Sequence, residues 1–224
     1  MIAILVAAGG SRRMGFDKLS ADLLGMPVVA RSLLAFERSA CVERILVVAK
    51  EERLAEFEEM GRMHGVSKLE RVVAGGVERR DSVWNGLRAA QLSPGQYVAV
   101  HDAARPLITP RAIEGCLALA RKHGAASCAA AVADTLKRAD ENKCVTGSVE
   151  RENLWAMQTP QIFEASLLER AYRAVLEKGM LVTDDVSAVR AIGVPVQLVP
   201  VTAPNFKITF PADLELARLV MQQR

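Results

Sequence analysis

The sequence predicts an α/β fold with a mostly parallel central sheet covered by helices on both faces. Short apolar runs rich in β-branched residues alternate with longer segments that have helical patterns. The short runs are apolar on both faces of a strand, which is typical of parallel sheets buried between two helical layers. Such sheets bind ligands where the carboxyl ends of the strands meet their loops. We therefore expect the functional residues in the loops that follow the strands.

Six strands and seven helices are expected along the chain. The first strand is an apolar run that leads directly into glycines and is too short for a membrane span or a signal peptide. The expected strands are Ile2–Ala7, Arg44–Ala49, Leu69–Val73, Tyr97–His101, Ser127–Ala133 and Val196–Val201. The expected helices are Pro27–Ser39, Glu51–Met60, Asp81–Gln91, Pro110–Lys122, Ala165–Lys178, Asp184–Ile192 and Pro211–Gln222.

The polar segment Asp134–Asn153 interrupts this alternation. Charged side chains crowd around an expected turn at Asn142, and apolar residues are sparse. The segment reads as an excursion from one domain that spans residues 1–224, rather than as a linker between two domains. The pattern alone fits a projecting β-hairpin arm and a solvated loop equally well.

Composition and charge narrow the class of protein. Half of the 224 residues are hydrophobic and a quarter are charged, which is the balance of a globular protein rather than a disordered one. The net charge of +3 gives no support for a nucleic-acid or membrane partner. The four cysteines and three histidines show no metal-ligand spacing. A cytoplasmic protein with reduced thiols is therefore expected.

A loop rich in glycine and arginine follows the first strand. It reads Ala8-Gly9-Gly10-Ser11-Arg12-Arg13-Met14-Gly15-Phe16-Asp17-Lys18. Glycines allow the backbone to approach a ligand closely, and successive N–H groups can converge on phosphate oxygens. Arg12, Arg13 and Lys18 add three cations, which suit the charge of a triphosphate. The loop predicts a phosphate site, and a glycine turn with solvated arginines is the alternative.

Two common phosphate motifs do not fit this loop. The dinucleotide motif GxGxxG fails because Arg12 and Arg13 occupy positions that it keeps small, and no Gly-Lys-Ser/Thr follows as in the Walker A motif. The loop instead resembles the signature of the sugar-nucleotide-type nucleotidyltransferases. That resemblance implies a Rossmann-like three-layer fold. The same run also resembles the molybdopterin guanylyltransferases, so the loop alone indicates only a superfamily.

Two further motifs follow predicted strands. One motif, Gly75-Gly76-Val77-Glu78-Arg79-Arg80-Asp81-Ser82-Val83, opens a helix. Either Asp81 or Ser82 caps this helix, or the two glycines and Ser82 contact a base or ribose. His101-Asp102-Ala103-Ala104-Arg105-Pro106 places a carboxylate beside the phosphate loop, where it could hold Mg²⁺ between triphosphate oxygens. A turn capped by Asp102 is the alternative for the second motif.

Later motifs carry single polar residues that each have an ordinary structural explanation. They are Asp134-Thr135-Leu136-Lys137, Glu150-Arg151, Gln158-Thr159-Pro160-Gln161-Ile162-Phe163 and Thr183-Asp184-Asp185-Val186-Ser187. A helix cap explains Thr183 or Asp184, a turn explains Thr159-Pro160, and a surface charge explains Arg151.

Taken together, the motifs resemble the 2-C-methyl-D-erythritol 4-phosphate cytidylyltransferases over nearly the whole chain, through Asn205-Phe206-Lys207-Ile208-Thr209. The resemblance implies transfer of CMP from CTP to the sugar phosphate, with Mg²⁺ or another divalent cation at Asp102. It implies contacts to the nucleotide from Ala7, Ala8, Gly9, Gly10, Gly76 and Ser82. It implies catalytic roles for Arg13, Lys18, Asp102 and Lys207. It places Arg105, Thr135, Arg151, Thr159 and Thr183 around the sugar phosphate.

The resemblance also implies a homodimer in which the polar arm crosses a two-fold axis. Thr135 and Arg151 would then serve the neighbouring subunit's site. Two features depart from the family pattern: Pro204 stands where the family usually has an aspartate, and the loop between Arg13 and Lys18 is short. A ribitol 5-phosphate cytidylyltransferase and a non-catalytic nucleotide-binding protein are the alternative functions.

The implied reaction requires no general base, and the sequence offers no clear one. A phosphate monoester has its second pKa near ~6, so it is already largely dianionic at neutral pH. It can attack the α-phosphorus of CTP directly, and the protein then contributes alignment and neutralisation of charge. His101 is the nearest candidate base, but a packed, hydrogen-bonded histidine in a strand explains it equally well.

Overall fold

The computed structural model describes residues 1–10 and 14–224. A seven-stranded sheet has the order β3-β2-β1-β4-β8-β5-β9. Its strands are β1 Ile2–Val6, β2 Arg44–Ala49, β3 Leu69–Ala74, β4 Tyr97–Asp102, β5 Ala125–Ala131, β8 Trp155–Glu164 and β9 Gln197–Pro200. The helices are α1 Val28–Glu37, α2 Leu54–Met63, α3 Arg79–Ala90, α4 Pro110–His123, α5 Ala165–Glu177, α6 Asp185–Ala191 and α7 Pro211–Gln222. All of the described sheet is parallel except β8, which is antiparallel to both β4 and β5.

Helices cover both faces of the sheet, as its doubly apolar strands predict. In β1, Ala3 and Leu5 pack into one core with α1, α2 and α4, while Ile4 packs into the opposite core with α3, α5 and α6. Successive strand residues point to opposite faces, so one strand supplies both cores. Among the described residues, every helix is too short or too polar to cross a bilayer.

The predicted elements agree closely with those observed. All six predicted strands are present with bounds within two residues, and all seven predicted helices are present. The predicted helix Glu51–Met60 begins as a 3₁₀ turn at Glu51–Arg53 and continues as α2. The prediction of a mostly parallel α/β fold is confirmed.

Strand β8 is the element that the sequence pattern did not predict. The segment contains Pro160 between Thr159 and Gln161, and a proline favours a turn over a central strand. In the structure the register between β5 and β8 shifts between Ser127 and Ala129, opposite the region of Pro160. Such an irregularity accommodates a residue that has no N–H to donate to the ladder.

The polar excursion forms a hairpin. Strand β6 (Leu136–Ala139) pairs antiparallel with β7 (Val145–Val149), and Leu136 lies opposite Val149. The connection includes Asn142 and is held by a hydrogen bond from the N–H of Cys144 to the carboxylate of Asp140. The hairpin alternative is therefore the observed one.

Helix α3 approaches the sheet closely at Gly86. A Cβ atom at this position would lie 2.8 Å from methyl groups of both Ile4 and Val48. We expect Gly86→Ala to lower the free energy of unfolding by about 1–3 kcal/mol, because the added methyl overpacks the core. Gly115→Ala on α4 is the matched control, since a Cβ there meets no atom within 4 Å. It should stabilise by about 0.4–1 kcal/mol. Urea denaturation of both variants tests this, and equal effects would contradict the packing argument.

Candidate active site

Two cavities meet at the carboxyl edge of the sheet. The first has a volume of about 240 Å³ and lies between the glycine loop after β1 and the loop before α3. The second, of about 390 Å³, lies between β8 and the start of α6. Arg79, Asp102 and Lys207 line both cavities. These three side chains therefore form the wall between the two spaces.

The first cavity gathers the residues predicted to contact a nucleotide. Its lining includes Ala7, Ala8, Gly9, Gly10, Lys18, Gly76 and Ser82. Close approach explains two glycines: a Cβ at Gly75 would lie 2.6 Å from that of Ala8, and one at Gly76 would lie 2.3 Å from that of Asp81. Both positions therefore exclude a side chain.

At the start of α3, the side chains of Asp81 and Ser82 both hydrogen-bond to the backbone of the preceding loop. Asp81 accepts a hydrogen bond from the N–H of Glu78 at 2.9 Å and completes a capping box, so the cap prediction is confirmed for Asp81. The buried Ser82 hydroxyl accepts from the N–H of Gly76 and donates to the carbonyl of Glu78, both at 3.1 Å. Ser82 thus shapes the loop that borders the cavity.

The loop after β1 is tied to the body at its far end. The Lys18 ammonium is buried and donates to the carbonyl of Ile208 at 3.1 Å. The Asp17 carboxylate accepts the N–H groups of Leu19 and Ser20 and lies 2.9 Å from the Arg53 guanidinium. Ser11, Arg12 and the predicted catalytic Arg13 lie outside the described residues.

Asp102 lies at the end of β4 among three cations. Lys207 Nζ is 3.1 Å and Arg105 Nε is 3.4 Å from its Oδ2 atom, while Arg79 Nε is 3.6 Å from Oδ1. Burial alone would raise the pKa of Asp102, but the positive charges of Lys207, Arg79 and Arg105 outweigh it and hold the pKa well below its ordinary value. Asp102 is therefore ionised throughout the physiological range.

Thr159 and His101 support Asp102 from inside the protein. The carbonyl of Arg105 can only accept a hydrogen bond, so Nε2 of His101, which faces it at 3.3 Å, carries the hydrogen of the neutral ring. Nδ1 of His101 is then the acceptor, and the Thr159 hydroxyl donates to it at 3.0 Å while accepting the Asp102 N–H, also at 3.0 Å. Burial lowers the pKa of His101 to about 3. His101 is therefore a neutral, packed residue, as the structural alternative predicted, and is not a poised base.

The second cavity is lined by three of the residues predicted to surround the sugar phosphate: Arg105, Thr159 and Thr183. Arg105 is braced by its neighbours, because it donates to the carbonyls of Asn205 at 2.9 Å and Met157 at 3.4 Å besides facing Asp102. Asn205 donates in turn to the Thr159 carbonyl at 2.9 Å. Asp184 caps α6 by accepting the N–H of Ser187, which confirms the cap predicted there.

Thr135 and Arg151 lie apart from this group. Both are exposed near the base of the hairpin, and Arg151 donates to the carbonyl of Ala133. Neither belongs to the described residues that line the two cavities.

Sequence reasoning missed Arg79 and Asp185. Arg79 lies in the glycine motif before α3, and Asp185 directly follows the predicted cap Asp184. The two side chains form a two-pronged ion pair with distances of 3.1 and 2.8 Å. Both motifs are apparent in the sequence, but no local pattern indicates that residues so far apart along the chain pair.

The site suits a magnesium ion that is held by one carboxylate together with substrate phosphates. Among the described residues, no three His, Cys, Asp or Glu side chains are grouped so as to hold a metal. Asp102 offers a single permanently ionised carboxylate between the two cavities. Magnesium is commonly held by one or two carboxylates while substrate phosphates and water supply the other ligands. The donor set fits that mode and no all-protein cage.

The glycine-rich loop, the ionised Asp102 and the cations around it meet at the carboxyl edge of the sheet, which suits an enzyme that binds nucleotides and transfers phosphate-containing groups. Comparison with known proteins then identifies the family. The family model described as IspD, 2-C-methyl-D-erythritol 4-phosphate cytidylyltransferase, matches residues 1–223. The chain belongs to this family.

Individual relatives agree with this membership. A 2-C-methyl-D-erythritol 4-phosphate cytidylyltransferase from Symbiobacterium thermophilum is 41% identical over 223 residues, which cover 98% of this chain and 92% of the relative. The crystal structure of the Thermus thermophilus enzyme of that name has a TM-score of 0.80 at 30% identity and covers 98% of both chains. The 4-diphosphocytidyl-2C-methyl-D-erythritol synthase from Anaerococcus prevotii has a TM-score of 0.84 at 25% identity, covering 99% of this chain and 98% of that structure.

The neutral state of His101 predicts a dependence of stability on pH. Its pKa is about 3 when folded, below the ordinary value of about 6.5. As the pH falls, the His101 ring is protonated in the unfolded chain before it is protonated in the folded one. The contribution of His101 to the free energy of unfolding is therefore full above about pH 6.5 and is lost as the pH falls toward 3. We expect His101 to contribute a loss of about 1.4 kcal/mol per pH unit below pH 6.

Urea denaturation between pH 8 and pH 5 measures this loss. The His101→Gln variant should be less stable at pH 8, because it disturbs the buried hydrogen bonds, yet lose less stability over the same range. Parallel pH dependences of the two proteins would show that His101 does not titrate on unfolding.

Proposed function

We propose that this protein transfers CMP from CTP to 2-C-methyl-D-erythritol 4-phosphate, giving 4-diphosphocytidyl-2-C-methyl-D-erythritol and pyrophosphate. The observation that carries the proposal is the shared wall of Arg79, Asp102 and Lys207 between two cavities. One cavity has the glycine lining suited to a nucleotide, and the other has Arg105, suited to an anionic group. The names of the relatives agree with this reaction. The two substrates would react where the cavities adjoin, beside these three side chains.

The mechanism is an in-line attack of the sugar's phosphate on the α-phosphorus of CTP. A phosphate oxygen forms the new bond while the bond to the bridging oxygen of pyrophosphate breaks. The attacking phosphate is already deprotonated at neutral pH, because its second pKa is about 6. The neutral, fully hydrogen-bonded His101 supports a reaction without a protein base. The protein's contribution is alignment and neutralisation of charge.

The cations have separate roles in this proposal. Arg13 and Lys18 stabilise the charge that develops on the departing pyrophosphate. Lys207 lies at the wall, 3.1 Å from Asp102, where both substrates' phosphates would meet. A magnesium ion, when bound, would neutralise charge on the triphosphate, with Asp102 as its protein ligand.

The sugar phosphate occupies the second cavity in this proposal. Arg105 and Thr183 face it, while the hydroxyl of Thr159 is already engaged by Asp102 and His101 and acts by holding Asp102 in place. Pro204 replaces the family's usual aspartate and is exposed. The neighbouring Asn205 and Lys207 keep their contacts with the site, which supports an active enzyme.

The proposed assembly is a homodimer in the cytoplasm that binds neither nucleic acid nor membrane. The hairpin projects polar residues and leaves Thr135 and Arg151 away from the cavities of their own chain. That placement supports an arm that completes the site of a second subunit.

The transfer reaction is tested by release of pyrophosphate from CTP. We expect turnover that requires both Mg²⁺ and 2-C-methyl-D-erythritol 4-phosphate, and little turnover with ribitol 5-phosphate or GTP. Arg13→Ala should lower kcat by about 10²–10³-fold, because it removes a charge that stabilises the transition state. The KM for the sugar phosphate should change far less. Turnover by Arg13→Ala near that of the wild type would remove Arg13 from the mechanism.

Subunit complementation tests the arm. Arg13→Ala and Arg151→Ala chains are each expected to be weak, but their heterodimer would contain one site with Arg13 from one chain and Arg151 from the other. Co-refolded mixtures should recover about a quarter of wild-type activity for random pairing of a two-fold dimer. A mixture of Arg13→Ala and Lys18→Ala chains is the control and should recover none, since both defects lie in the body. Absence of recovery in the first mixture would assign Arg151 to its own chain's site or to no site.

A further inference from the structure

Asp102 is held differently on its two carboxylate oxygens. Lys207 and Arg105 contact Oδ2, whereas among the described ion pairs only Arg79 faces Oδ1, through Nε at 3.6 Å. This last distance is longer than a good charge-assisted hydrogen bond. Oδ1 therefore keeps the greater capacity to accept a further partner.

Asp185 determines how Arg79 faces Asp102. Nη1 and Nη2 of Arg79 lie 3.1 and 2.8 Å from the two oxygens of Asp185. Both Nη atoms are engaged by Asp185, and the Arg79 atom that lies nearest Asp102 is Nε, at 3.6 Å from Oδ1. Burial alone would lower the pKa of Arg79, but Asp185 and Asp102 raise it well above its ordinary value. Arg79 is therefore a permanent cation shared between two carboxylates.

Asp185 is itself rigidly placed. Its side chain is fully buried and accepts a hydrogen bond from the Tyr172 hydroxyl. Burial and the Asp185 charge raise the pKa of Tyr172, which therefore remains a proton donor. The backbone N–H of Asp185 donates to Gln161 Oε1 on β8 at 3.0 Å. A buried carboxylate fixed on several sides can hold the arginine without moving.

Removing the charge of Asp185 would release the fork of Arg79. The nearest remaining carboxylate is Asp102, and a two-pronged pair with it would occupy Oδ1 and Oδ2 together. Such a pair would take up Oδ1 as well as Oδ2 and would move Arg79 from its present place between the two cavities. We propose that Asp185 is a positioning residue for the transfer reaction, which holds Arg79 in a one-edge contact and so keeps Asp102 available to the substrates.

This inference rests on the proposed function, and kinetics of Asp185→Asn test it. The substitution keeps the size and an acceptor for Tyr172 but removes the charge. We expect kcat to fall about 10²-fold, as a misplaced active-site group can cause. The KM for 2-C-methyl-D-erythritol 4-phosphate should change less than about threefold, because Thr183 and Ser187 still line the second cavity. A merely structural role would instead raise that KM as the start of α6 loosens.

A double-mutant cycle separates action through Arg79 from an independent effect. The double variant Arg79→Gln/Asp185→Asn replaces both charged side chains of the ion pair by neutral amides. If Asp185 acts through Arg79, kcat of the double variant equals that of Arg79→Gln within about threefold. If the two losses multiply, the proposal is wrong. Arg79→Lys keeps the charge but cannot make a two-pronged pair with Asp102, so it should lose less kcat than Asp185→Asn. If Asp185→Asn does not fold, a loss of about 10²-fold or more in Arg79→Lys would overturn the proposal.

Tyr172→Phe is the matched control. It removes another hydrogen bond to Asp185 but leaves the pair with Arg79, so kcat should stay within about threefold of the wild type. Circular dichroism and thermal melting confirm that each variant is folded. A wild-type protein without sugar-phosphate-dependent pyrophosphate release would overturn the proposed function. An active wild type with a fully active Asp185→Asn variant would overturn only the role of Asp185.

Discussion

The ionised carboxylate of Asp102 is the constraint on which the candidate site depends. A buried charge is unfavourable unless other charges and hydrogen bonds compensate it. Here the compensation comes from Arg79 at the start of α3, Arg105 after β4 and Lys207 in the loop before α7. Segments far apart in the chain are thereby required to meet at one point. The same requirement forms the wall between the two cavities.

Strand β8 holds the segments that surround Asp102 in place. It supplies the Thr159 hydroxyl to the backbone of Asp102, the Met157 carbonyl to Arg105 and the Gln161 amide to the start of α6. A central strand is normally apolar on both faces. The polar groups of β8 are tolerated because each has a hydrogen-bond partner. The strand that looks least suited to the sheet therefore organises both sides of the site.

The chemistry follows from what these partners leave available. His101 has both ring nitrogens engaged, and Arg105 has its donors spread over two carbonyls and Asp102. These two residues therefore serve to hold the site in place, in a chain that belongs to the cytidylyltransferase family. The Arg79–Asp185 ion pair links this group of charges to the start of α6, which borders the second cavity.

The sequence by itself determined the alternation of strands and helices, the glycine loop and the position of Asp102 at a strand end. These are local properties. The spacing of apolar residues indicates which faces are buried, and glycines indicate where the backbone can approach a ligand. Only the tertiary structure decided that β8 enters the sheet antiparallel and that Arg79 pairs with Asp185, 106 residues away. Pairing of distant segments depends on which buried polar groups satisfy one another, and no spacing along the chain records that choice.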